Sequence, residues 1–79
     1  MRSNTSRAVE AAASYIDSLY QQGKRILLQT FSGELCSGTI YEQEILYNPL
    51  RVTITMIDES TAEKQTFDLE DVAVIQPMA

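Results

Sequence analysis

Glu44, Tyr47 and Asn48 stand six, nine and ten residues after Gly38, in the stretch GTIYEQEILYNPL. An aromatic ring beside a side-chain amide is a combination that suits a nucleic-acid base. The ring offers a stacking face, and the amide offers two donors and an acceptor for the base edge. The same residues also describe a strand, a turn and another strand. Asparagine tolerates unusual backbone angles, and the residue before a proline, here Asn48 before Pro49, is pushed away from helix.

Other chemistry is less visible. Histidine is absent, so the commonest proton shuttle near neutral pH is missing, and no serine sits in a nucleophile elbow. Glycine is too sparse for a phosphate-cradling loop followed by lysine. Paired acids occur at Glu42 and Glu44, at Asp58 and Glu59, and at Glu70 and Asp71. Glu42 and Glu44 share one strand face and read as a solvated rim. Cys36 is the single cysteine, which excludes an internal disulfide and a multi-cysteine metal cage within one chain. It reads as a small buried strand residue. The expectation is a non-enzyme with no cofactor and no metal.

Eleven acids against six bases leave a net charge of −5, the wrong sign for long-range attraction to a polyanion. A local base-stacking pocket does not need a basic molecule overall. Arg2, Arg7, Lys24, Arg25 and Arg51, with Lys64, are the cations on hand for phosphate.

These residues need a scaffold, and 79 residues make one domain with a thin core, hiding roughly 60–65% of the unfolded chain's surface. Self-association is a natural supplement to a core of that size. Residues 1–5 read as a flexible tail and residues 6–22 as a helix with Ser6 as N-cap. Val9, Ala12, Ala13, Ile16, Leu19 and Tyr20 recur at helical spacing along one stripe. Gly23 supplies the stop. From there the period becomes alternating and β-branched residues multiply.

Five strands are expected: RILLQTF, then ELCSGTIYEQ after a turn at Gly33, then LRVTITMID, KQTFDL and VAVIQ. Val52, Ile54 and Met56 alternate with Thr53 and Thr55, which gives the third strand one buried face. Gly38, inside the second, signals a bulge, a bend or a close backbone approach. The fold class is therefore mainly β, an N-terminal helix followed by a five-stranded, strongly bent antiparallel barrel over residues 23–77, of SH3-like or Sm-like type. An OB-fold ranks second because its helix normally lies between strands.

Within that pattern, GKRILLQTFSGELCSGTIYEQEILYN resembles the first conserved motif of the Sm and Sm-like proteins, with Gly33, Gly38, Ile40, Glu44, Tyr47 and Asn48 at the matching positions. The resemblance implies an Sm-like barrel whose loop between second and third strands binds single-stranded RNA. Tyr47 would stack on a base, Asn48 would read its edge, and Glu44 would orient Asn48. It also implies a homo-oligomeric ring, in which the fourth and fifth strands pair with neighbouring subunits and remove exposed edges.

The second motif departs from the family. Where RNA-binding members carry arginine and glycine, the stretch TFDLEDVAVI has Asp68 and Leu69, and an acid beside a phosphate-bearing ligand has the wrong sign. That ending resembles the close of other Sm-like barrels, including the small acidic antagonists of Rho-dependent termination, and implies a basic protein partner instead of RNA. The apolar runs are too short to cross a bilayer, and no basic-then-apolar leader is present. A cytoplasmic protein without membrane partners is the expectation.

Overall fold

A computed structural model describes residues 4–78. Helix α1 (Asn4–Gln22) begins before Ser6, which stands in its first turn, not ahead of it. Residues 1–3 of the expected tail lie outside the described residues. The helix ends as its glycine suggests. Gly23 has φ 64°, and its N–H donates to the Tyr20 carbonyl at 3.1 Å while Lys24 N–H donates to that of Leu19 at 3.3 Å. This Schellman pair satisfies carbonyls that the helix leaves open. Ala13, Ile16 and Leu19 are buried, whereas Tyr20 is exposed. The buried stripe advances by threes, which leaves Tyr20 on its flank.

Strands β1 (Arg25–Thr30), β2 (Leu35–Leu46), β3 (Arg51–Asp58), β4 (Lys64–Asp68) and β5 (Val72–Pro77) form one antiparallel sheet in the order β4-β3-β2-β1-β5. The fold is thus an N-terminal helix followed by a five-stranded antiparallel sheet. That sheet cannot be flat. Its outermost strands would then lie about 19 Å apart, four strand spacings, yet only the 3-10 turn Leu69–Asp71 joins β4 to β5. Such a turn advances about 2 Å per residue, so the sheet must curl. Accordingly Phe67 of β4 and both Val72 and Ile75 of β5 pack against one core of Ile16, Leu19, Ile26, Leu28, Cys36, Ile40, Ile54 and Met56.

Two features of β2 produce the curl. At Gly38 a Cβ would overlap the Ile57 carbonyl oxygen and lie 3.2 Å from the Glu59 nitrogen. The glycine marks a close backbone approach. The bulge lies elsewhere, between Ile40 and Glu42, where Ile40 pairs with Met56 but Glu42 already pairs with Thr55. One extra residue, Tyr41, changes which side chains point inward. Cys36 and Ile40 are buried before it; after it Gln43 and Ile45 lie opposite the buried Ile54 and Val52. The strand also runs to Leu46, past the expected end at Gln43, because the ladder resumes beyond the bulge.

Asp58 closes β3. Its carboxylate accepts from the Ser60 amide at 2.8 Å, the Ser60 hydroxyl at 2.6 Å and the Gln65 amide at 2.9 Å. The Cys36 thiol lies 3.8 Å away. Donors from Ser60 hold the Asp58 carboxyl below the usual carboxylate range. Burial, with help from that carboxylate, pushes the Cys36 thiol up to about 11. A thiol so protonated is a poor nucleophile, so Cys36 serves as packing.

Candidate functional site

Tyr47 and Asn48 occupy the turn between β2 and β3. Tyr47 is 71% exposed, and Asn48 takes a left-handed φ of 62° ahead of a cis bond to Pro49. An asparagine is among the few side-chain-bearing residues that adopt this region readily, so turn geometry accounts for its presence. Glu44 lies inside β2, exposed and opposite Thr53.

The three residues do not converge. Tyr47 lines a groove with Gln43 and Ile45, its partners at every second position, and neither Glu44 nor Asn48 lines that groove. Strand alternation explains the split, because Glu44 and Leu46 face away from Gln43, Ile45 and Tyr47. Among the described residues no hydrogen bond joins Glu44 to Asn48. The expectation that Glu44 orients Asn48 is not met within this chain.

Asp68, at the end of β4, has a partner of its own. Arg51 Nε donates to Asp68 Oδ2 at 2.7 Å, and Asp68 Oδ1 accepts from the Glu70 amide at 3.1 Å, capping the 3-10 turn. Arg51 chiefly, and that amide, hold the Asp68 carboxyl below its ordinary value. Arg25 is likewise engaged: its Nε and Nη2 each lie 2.8 Å from a Glu59 carboxylate oxygen. The Lys64 ammonium sits 4.0 Å from the Tyr41 ring centre, a cation–π distance. Three of the cations suited to phosphate are therefore occupied internally, and Arg2 lies outside the described residues.

No known family's sequence profile matches the chain, and no curated protein or solved structure is detectably similar to it. The site must be read from its own geometry.

That geometry centres on the seam between α1 and the far half of β2. Gln43 Nε2 donates to the Ala13 carbonyl at 3.2 Å, tying strand to helix, while Gln43 Oε1 is buried without a partner. On one side of Gln43 a groove of about 540 Å³ has Val9, Ala13, Ile45, Leu50 and Val52 as its apolar lining and Glu10 and Asp17 as its charges. On the other side a cleft of about 410 Å³ is lined by Asp17, Tyr20, Tyr41, Glu42 and Gln43. Sequence reasoning missed this seam. The tyrosines at 20 and 41, each beside an acid, Asp17 and Glu42, were its available signal, but that the two pairs meet depends on how α1 packs against β2. Among the described residues no helix is long and apolar enough to cross a membrane.

Proposed function

We propose that this protein is an Sm-like barrel that assembles into a homo-oligomeric ring and serves as an acidic adaptor for a basic protein partner. The observation that carries the assembly is the strand order, which leaves β4 and β5 as the two open edges of the sheet. Lys64, Gln65 and Thr66 along β4 and Val74 on β5 are exposed. An open edge is a row of unpaired backbone donors and acceptors. Pairing β4 of one copy with β5 of the next satisfies both rows, and a head-to-tail contact that closes makes a ring. The adaptor role follows from charge, since the chain carries a net −5 and its Arg25 and Arg51 are already paired with Glu59 and Asp68. Sedimentation velocity at micromolar concentration tests the assembly. A species several times heavier than the 8.9 kDa chain is expected, and a monomer overturns the ring.

One observation favours a second reading, single-stranded RNA bound at the β2–β3 turn. Tyr47 presents most of its ring to solvent, as a stacking platform must, with Asn48 beside it; in a ring, Glu44 of a neighbouring copy would complete the set. Binding to uridine-rich and adenine-rich RNA at two salt concentrations decides it, alongside a variant with Tyr47→Ala and Asn48→Ala together. Binding at low salt that the double variant loses supports this reading, and no binding ends it.

A further inference from the structure

We propose that the seam between α1 and β2 is a docking site for a partner segment in which apolar residues are flanked by arginine. The assignment rests on the adaptor reading and names what the adaptor holds. Its groove and cleft share Asp17 and Gln43, so they form one continuous surface with two chemistries. The groove takes aliphatic side chains: Ile45 is 40% exposed, and Val9 and Leu50 are half-buried. Apolar area open to water gains about 25 cal/mol per Å² when covered.

The cleft takes a cation. Two carboxylates, Asp17 and Glu42, stand there with two tyrosine rings, each close to half exposed. Rings and carboxylates both attract a guanidinium, the rings through their electron-rich faces. Lys64 resting on Tyr41 is an internal instance of the same attraction. Among the described residues no basic side chain lines groove or cleft, and Glu10, Asp17 and Glu42 have no ion-pair partner. The surface is therefore complementary to positive charge: among the described residues Lys64 rests on the Tyr41 ring, and no cation pairs with either carboxylate. Gln43 Oε1, the one buried side-chain acceptor without a donor among the described residues, belongs to the residue where groove and cleft join.

The test is fluorescence anisotropy with a labelled short peptide holding a leucine–valine pair between two arginines, and with its counterpart carrying glutamates in their place. The arginine peptide is expected to bind and the glutamate peptide not. Changing Asp17→Asn and Glu42→Gln together, or Ile45→Ser alone, should each weaken binding about tenfold, as truncating one side of a desolvated contact does. Circular dichroism confirms that each variant stays folded. A control variant, Glu34→Gln with Glu63→Gln, removes the same charge far from the seam and should bind as the original does. If the control loses binding and the seam variants keep it, the seam is wrong and an acidic adaptor survives elsewhere on the surface. If neither peptide binds, the adaptor reading falls with it. A uridine-rich oligonucleotide that displaces the bound peptide overturns the assignment in favour of RNA.

Discussion

At one end of the β2–β3 ribbon Gly38 lies against the Ile57 backbone and Asp58 is ringed by donors; at the other, Ile45, Tyr47 and Asn48 stand in solvent. The same two strands supply both ends. At the first, no buried side-chain nitrogen or oxygen of the described residues lacks a partner and no space is left for a methyl group, so substitution there is paid in stability. At the second, apolar area and ring faces are uncovered, so substitution there leaves the fold and changes what the surface holds. Satisfied groups maintain the barrel, and unsatisfied ones remain for a partner.

The harshest way to break this contrast is Gly38→Ala. The added carbon meets a backbone oxygen, which has no rotamer to escape into. The strands must separate where Gly38 of β2 pairs with the end of β3. Overpacking ordinarily costs about 1–3 kcal/mol, and a clash with backbone belongs at or above the top of that range. A domain this small has roughly 5–10 kcal/mol in all. Urea denaturation should show a large fall in midpoint, and an unchanged midpoint would mean that the close approach does not hold the ribbon.

Acid sharpens the comparison next. The carboxyls of Asp58, Glu59 and Asp68 are all held below their ordinary values, by Ser60, Arg25 and Arg51 respectively. A group whose pKa is lower folded than unfolded contributes stability that is complete above its unfolded value, about 4 for these carboxyls, and lost as pH falls through the folded value. Thermal midpoints should therefore stay level from pH 7 to about pH 5 and drop below about pH 4. Asp58→Asn should lower the midpoint at pH 7, because an amide brings donors where Gln65 and Cys36 already donate. It should also make the acid drop shallower. An unaltered acid profile in this variant would assign the drop to the surface pairs.

These two ends were not equally legible in the sequence. The alternation of Val52, Ile54 and Met56 is local, and all three are buried as it requires. Gly23 ends α1 and Gly38 marks an approach, because few other residues serve those positions. The Tyr41 bulge leaves no such mark. It reverses the facing of all that follows in β2, turning Gln43 and Ile45 toward Ile54 and Val52, while plain alternation sets Glu44 and Tyr47, three residues apart, on opposite faces. Arg51 and Asp68 are 17 residues apart and meet only because Thr53 pairs with Asp68 across β3 and β4. Asp58 looked like one of several turn acids, and its two Ser60 donors are that local turn chemistry; Gln65 and Cys36 reach it only through the pairing of neighbouring strands.

Tyr47→Ala carries the smallest expected effect on stability and tests the open end most directly. An exposed side chain with no hydrogen bond of its own should cost no more than about 0.5 kcal/mol on removal. A larger loss in urea would show that the ring already covers the groove over Ile45 and Leu50, and that the seam is closed in the free protein. A neutral result leaves the ring free, and binding then separates its roles. Loss of RNA with peptide retained assigns Tyr47 to stacking at the turn. Loss of peptide with no RNA bound makes the ring a wall of the groove, continuing the face that Gln43 and Ile45 begin. The bulge at Tyr41 turns that face toward α1, and alternation keeps Tyr47 on it and Glu44 off it, so the second outcome is the one the strand register favours.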